Sequence, residues 1–217
     1  MIKKFAIALF ALASMAFSAN AQLYVGGTLG LVNNNSKEVD KDNKTELNPS
    51  VTGLSLSPEV GFFLSDNFAV GLYINSSFGF VNNRAETPVK VRTTSFGLAP
   101  YARWYAVKGE KLGLFLEGQL GWSLETGKTI SGDVTVASPK TNIFGVTIVP
   151  GISYDVTENV QLQMHINALG AEFAHSVKKN ADGENEVNNN CGLTMTTKVG
   201  SAQELLNVVS VGFIYKF

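Results

Sequence analysis

Apolar and polar residues alternate along most of this chain. The closing run VVSVGFIYKF puts Val209, Val211, Phe213, Tyr215 and Phe217 on one face of a strand. Ser210, Gly212, Ile214 and Lys216 fall on the other, with Ile214 the apolar exception. Chain ends are usually polar and frayed, so this pattern predicts a terminal strand paired on both sides. Comparable segments lie near 23–32, 54–64, 68–80, 92–106, 112–124, 141–154, 160–169 and 204–217. The connections alternate between long (33–53, 81–91, 125–140, 170–203) and short (65–67, 107–111, 155–159). Tight turns on one rim and long loops on the other predict an eight-stranded antiparallel up-and-down β-barrel crossing a membrane.

Period two alone does not say which face points inward. A soluble lipocalin-like barrel keeps its apolar face inside, whereas a membrane barrel turns it outward. The aromatic residues decide. On the apolar face Phe62, Phe68, Trp104, Tyr154, Phe213, Tyr215 and Phe217 sit near the short turns, and Phe78, Phe80, Phe96, Trp122 and Phe144 near the long loops. Aliphatic or small residues such as Val70, Leu72, Ile74, Leu98, Leu116 and Ile148 lie between. The ten residues from Phe68 to Phe78 give roughly 23–25 Å of height at the usual strand rise and tilt, close to the apolar band of such barrels. Two aromatic belts at that spacing are interface anchors. The opposite face carries Tyr24, Gly26, Thr28, Glu59, Gly61, Tyr73, Asn75, Tyr101, Arg103, Glu117, Gln119, Gln163, His165 and Asn167. That is a narrow polar lumen and a poor lipophilic cavity.

The first stretch stands apart from this pattern. Lys3 and Lys4 precede an apolar run from Phe5 to Phe17, and Ala19-Asn20-Ala21 follows. This is the layout of a cleaved secretory signal peptide over residues 1–21, with the barrel domain at 22–217. The run is too short for a membrane helix, and after it no apolar run approaches the roughly 18 residues that a helix needs. A spanning chain is therefore a closed barrel. Removing Lys3 and Lys4 leaves 15 Lys plus Arg against 18 Asp plus Glu, a net charge of −3. No clustered basic surface points to nucleic acid. The single cysteine, Cys191, has no partner in the chain for a disulfide.

A weak repeat marks the hairpins: SPEVGFFLSDNFAVGL, APYARWYAVKGEKLGL and VPGISYDVTENVQLQM each run proline, half-strand, turn and next strand. Proline removes a ladder donor, so bulges are expected at Pro58, Pro100 and Pro150. The segment from Pro58 to Leu64, the turn Ser65-Asp66-Asn67, the run Phe68 to Gly71 and the terminal Tyr215-Lys216-Phe217 resemble the small outer-membrane beta-barrel family, OmpA/OmpX-like proteins and their outer membrane protein beta-barrel domain relatives. The resemblance covers the chain after the leader. It implies the outer membrane of a Gram-negative bacterium as location, outer-membrane lipid as surroundings, and a C-terminal strand (Phe213, Tyr215, Phe217) read by the barrel-assembly machinery. Closing the barrel would leave no strand edge.

Candidate chemistry is sparse. Glu59, Arg103, Glu117, His165 and Lys216 all face the predicted lumen, which suggests a polar network of structural role; the 107–111 turn sets Arg103 opposite Phe115 with Glu117 diagonal to it. A gate is the competing reading of the same charges. His175 and Ser176 adjoin each other in sequence, whereas a nucleophile and base must meet and strand neighbours point apart. Asp40 to Glu46 and Asn180 to Glu186 carry oxygen ligands without a full calcium-loop pattern, and zinc lacks its usual ligand count. No catalytic, cofactor or metal site is expected. The long Asn-rich loops 33–53 and 170–203 remain as candidate contacts for an extracellular ligand or surface protein. The expectation is a non-enzymatic structural or surface-interaction protein, with a narrow pore as alternative and a lipid-modifying enzyme as third.

Overall fold

The structure, a computed structural model, describes residues 22–34, 37–39, 45–47, 50–83, 89–132, 134–166, 169–179, 185–195 and 209–217; the expected leader at 1–21 lies outside them. The described residues are strands and turns. They are β1 (Gln22–Asn34), β2 (Lys37–Val39), β3 (Thr45–Leu47), β4 (Ser50–Ser65), β5 (Phe68–Asn83) and β6 (Val89–Lys108). Then come β7 (Leu112–Ser131), β8 (Val134–Asp155), β9 (Val160–Ile166), β10 (Leu169–Lys179), β11 (Asn185–Met195) and β12 (Val209–Lys216). Hydrogen bonding passes from β8 through β7, β6, β5, β4, β1, β12 and β9 and returns to β8. Eight antiparallel strands thus close a ring, and within it every edge finds a neighbour. The last strand pairs with β9 on one side and β1 on the other, and the Phe217 N–H donates to the Leu23 carbonyl at 2.9 Å.

Local chemistry sets the short rim. Ser65 to Phe68 turns the chain between β4 and β5, and the Gly109 N–H reaches the Leu112 carbonyl at 2.8 Å between β6 and β7. Between β8 and β9 the Thr157 hydroxyl accepts the Asn159 and Val160 N–H groups at 3.3 and 3.0 Å, a side-chain turn that needs few residues.

The far rim differs from the expected loops. A membrane crossing needs about 9–11 tilted residues, yet β6 and β7 have 20 residues each and β8 has 22. The stretch 125–140, expected as a loop, continues β7 and β8 to a turn at Gly132, whose φ of 57° suits glycine. Likewise 170–203 holds the β10–β11 hairpin, 81–91 holds strand ends on both sides, and 33–53 holds the small β2–β3 hairpin. Once above the lipid, nothing requires apolar alternation, and backbone pairing persists without it.

The expected proline bulges need correction. Pro58 lies opposite Gly27 and Pro100 opposite Leu72 in unbroken register, while on their other sides the ladders pass over the proline and resume unshifted. Losing one donor interrupts the ladder on one side without inserting a residue. At Pro150 the side toward β7 is regular. On the other side the partner of β8 changes from β9 to β10, the register moving from Gly151/His165 to Ile148/Ala171. The ladder is therefore irregular at Pro150, as expected there, but not at Pro58 or Pro100; further register shifts fall at Phe63/Ser65, Tyr105/Val107 and Glu125/Gly127.

The two faces sort as the pattern requires. Phe78, Phe80, Phe96, Phe144, Trp104, Tyr154, Phe213, Tyr215 and Phe217 are all exposed, between 41% and 64%. Val70 shares their face but is buried between Phe62 and Ala102. The enclosed side holds Tyr24, Phe63, Tyr73, Tyr101, Tyr105, Phe115 and Ile214 together with Glu59, Arg103, Glu117, Gln161, Gln163 and His165. Aromatic rings press against glycines of the wall: a Cβ on Gly61 would collide with the tip of the Tyr24 ring, one on Gly71 with that of Tyr101, and one on Gly151 with Phe115. Three glycines make room for three rings in a lumen that has little to spare.

Candidate functional site

The centre of the lumen is a charged cluster built from four strands. Arg103, fully buried, projects from β6 and lies directly opposite Glu117 of β7. The sequence reading put Glu117 on the diagonal. The bulge at Tyr105/Val107 and the position of the Gly109 turn move the pairing onto Glu117 itself. Arg103 Nε and Nη2 meet Glu117 Oε2 at 2.6 and 2.5 Å, and Nη2 reaches Glu59 Oε2 of β4 at 3.3 Å. Both carboxylates are also held by donors. Tyr101 donates to Glu59, and Gln119 Nε2 to Glu117 Oε1 at 2.8 Å. Tyr73 accepts from Arg103 Nη2 at 2.8 Å and donates to Glu117 at 3.3 Å. From β9, His165 Nε2 approaches Glu117 Oε1 at 3.3 Å.

Aromatic rings enclose the guanidinium. Its central carbon lies 5.0 Å from the Tyr101 ring centroid and 4.9 Å from that of Phe115. Tyr73 stacks on Tyr101 at 4.5 Å, and the Tyr101 hydroxyl contacts that of Tyr24 at 2.7 Å. The cluster spans the lumen from β1 to β9. Charges taken this far from water persist only when paired and hydrogen-bonded.

Lys216 does not join it. Its Nζ meets Asp155 Oδ1 at 2.8 Å near the short-turn rim, where both side chains are part-buried. From Asp155 a second chain of bonds runs to Gln161 Nε2 at 3.0 Å, and from Gln161 Oε1 to the Tyr105 hydroxyl at 3.0 Å and Gln163 Nε2 at 3.2 Å. Two hydrogen-bonded groups therefore stack in the lumen where one was expected. Tyr73 and Tyr101 were legible as lumen-facing but not as bridging groups; Tyr105, Gln161 and Asp155 were missed. The tyrosines and the arginine at 101, 103 and 105 share one parity, and that was the signal available.

A cavity of about 160 Å³ lies on each side of the central cluster. The outer one is lined by Thr28, Ser57, Asn75, Gln119 and Ser210 with Tyr73 and His165, and the inner one by Gln22, Phe63, Ser65, Asp66, Lys108 and Lys216. The two share no lining residue. Lys108 closes over the inner mouth, 5.7 Å from the Phe63 centroid and 2.9 Å from the Asp66 carbonyl.

The remaining candidates scatter. His175 and Ser176 are consecutive on β10, His175 across from exposed Phe144 and Ser176 across from Ile143, so they point to opposite faces. His175 Nδ1 contacts Asn189 Oδ1 at 2.6 Å. Cys191 is a free, exposed thiol on β11. Among the described residues no three His, Cys, Asp or Glu side chains are grouped to hold a metal; most of the two acidic loop motifs, 40–44 and 180–184, lies outside them. Phe213, Tyr215 and Phe217 face outward at the short-turn rim, with the Tyr215 and Phe217 rings 5.0 Å apart.

Among solved structures, Neisserial surface protein A matches at 17% identity over 90% of this chain and 97% of its own, with a TM-score of 0.40. Ail, the attachment invasion locus protein of Yersinia pestis, matches at 13% over 91% and 99%, with a TM-score of 0.39. OprG from Pseudomonas aeruginosa matches at 14% over 91% and 95%, with a TM-score of 0.45. No curated protein matches. The model of one family, the outer membrane protein beta-barrel domain, matches residues 5–197. With the closed eight-strand ring and its aromatic outer wall, this places the protein in the outer membrane of a Gram-negative bacterium, and the chain belongs to the outer membrane protein beta-barrel domain family.

Proposed function

We propose that this protein is a closed barrel that acts at the cell surface, through the hairpins that rise above the membrane, and does not conduct or catalyse. The observation that carries the reading is Arg103, fully buried and bonded to Glu59 of β4 and Glu117 of β7. An ion crossing the lumen would have to displace a guanidinium held by two carboxylates and two aromatic rings. An eight-stranded barrel is also just wide enough for side chains to fill it. Outside the membrane, β6, β7, β8, β10 and β11 continue as paired strands, with Val134, Val136 and Val187 exposed among polar residues. Such a surface suits contact with another molecule better than chemistry. A lipid-modifying activity has no support from His175 and Ser176, which diverge.

The test is single-channel recording of the refolded chain in a planar bilayer. Silence at all voltages is the expected result, and a stable unit conductance would turn the assignment to a narrow pore. A lipid-product assay on the same protein should be blank, and release of lipid fragments would show the loops to be catalytic. The terminal strand is further proposed as the assembly address. Deleting Phe217 should lower membrane insertion more than synthesis, and unchanged insertion would refute that role.

A further inference from the structure

Four cations stand together on the outward face just above the outer aromatic belt. Arg92 of β6 lies directly opposite Lys128 of β7, and Lys90 follows two residues along β6 on the same face. Lys140 of β8 lies beside the irregularity at Glu125/Gly127, next to the same row. All four are exposed. On its other side Arg92 faces Phe80, its guanidinium carbon 5.7 Å from the ring centroid, so the patch is continuous with the belt. Arg92 is four residues beyond belt residue Phe96 on β6. At the usual rise and tilt this is about 10 Å higher, in or just above the headgroup layer.

Like charges directly opposite on one face of an antiparallel pair repel. Here the repulsion is uncompensated within the described residues. None of the four takes part in an ion pair there. Glu125, opposite Ser95 and Thr141, has the parity of the lumen residues, and Glu186 is engaged by Lys178. Among the other described cations Arg103 is matched by two carboxylates, Lys216 by Asp155 and Lys178 by Glu186, while Lys108 and Lys111 at the short-turn rim stand apart without an ion pair and without a cation opposite.

We propose that Lys90, Arg92, Lys128 and Lys140 form a binding site for the phosphates of an outer-leaflet lipid headgroup. The guanidinium grips a phosphate through two parallel N–H bonds while the ammonium groups act as point charges beside it. Phe80, Phe96 and Trp122 below offer apolar surface to the acyl chains. The inference rests only on which face meets lipid. It stands whether or not the lumen conducts.

The probe is a bisphosphorylated lipid A, compared with the same glycolipid stripped of phosphate. The refolded full chain in phosphatidylcholine nanodiscs is loaded with each, and retained lipid is measured by native mass spectrometry. The phosphorylated lipid should be retained and the stripped one lost. Arg92→Gln/Lys128→Gln should weaken retention roughly ten- to thirtyfold, as two surface cations contribute to anionic-lipid attraction. Lys111→Gln at the opposite rim should leave it unchanged, and unchanged gel mobility before and after boiling verifies that each variant is folded. Equal retention of the two lipids by the wild type, needing no variant, overturns the site. So does full retention by the double variant. Complete displacement by inorganic phosphate alone would show an anion patch without preference for a lipid and would overturn it too.

Discussion

The inner and outer walls of this barrel are two faces of one sheet, one residue apart along every strand, yet they follow opposite rules. On the outer wall the apolar side chains are the exposed ones, from Phe68 at 37% to Phe217 at 64%. On the inner wall the charged ones are buried, Arg103 and Glu117 at 0%. Lipid is the solvent outside, so an apolar side chain there needs no protein partner. Inside there is room for little solvent, so each charge must find its partner within the chain. The difference shows that stability here is concentrated: the outer wall is a sum of interchangeable contacts, whereas the inner wall depends on a few specific ones.

Substitution of Arg103 breaks that comparison most sharply. Arg103→Met leaves Glu59 and Glu117 buried without their cation and should cost about 3–5 kcal/mol, read as a lower urea midpoint for the folded, fast-migrating band in vesicles. Glu117→Ala should cost less, because Arg103 keeps Glu59. If both changed nothing, the inner wall would be as tolerant as the outer. On the outer wall Leu116, exposed on β7 between the short turn at Leu112 and the outer belt at Trp122, is the matching site. Leu116→Arg should cost about 2–4 kcal/mol in a bilayer and far less in detergent, where water is close. Equal penalties in both would mean that this face does not meet lipid.

Lys216→Met, which removes the part-buried pair with Asp155 and leaves that carboxylate to Gln161, should cost about 1–2 kcal/mol, between an exposed pair and a buried one. The smallest effect belongs to the β10–β11 hairpin above the membrane. Hydrogen bonds from Asn188 and then Lys178 hold the fully exposed Glu186 carboxyl below its ordinary range. A lowered folded value means that the contribution is present above the unfolded value and is lost as pH falls through the folded one. Hydrogen-exchange protection at Lys178 and Glu186, taken relative to an unstructured chain at the same pH, should therefore fall slightly in acid, with no change in the barrel.

Which wall is which was legible in the sequence, because period two and the belt residues Phe68, Phe78, Phe96 and Trp122 admit one arrangement at membrane spacing. The membership of the central cluster was legible in Glu59, Arg103, Glu117 and His165, whose parity is shared. Its register was not. The turn pairs Lys108 with Gly113, which alone would set Arg103 opposite Gly118, and the one-residue bulge at Tyr105/Val107 brings it back to Glu117; neither leaves a mark in composition. Lys216 was misplaced for a related reason: parity gives the face but not the height, and Lys216 enters the lumen at the rim, level with Asp155. The tall hairpins were hidden because, above the lipid, TISGDVTVASPK reads as a loop; Val134 and Val136 are exposed there, and only main-chain pairing holds the strand.

The central cluster also orders events in time. Glu59 comes from β4, Arg103 from β6, Glu117 from β7 and His165 from β9. An N-terminal half that inserted first, with β1 to β5 in place, would hold Glu59 in the bilayer with its cation not yet delivered. Such a half-built wall is penalised until β6 arrives, and it gains its last contact only when β9 docks. The same bonds that cross the lumen of the finished barrel thereby favour inserting the strands as one nearly complete sheet over threading them singly.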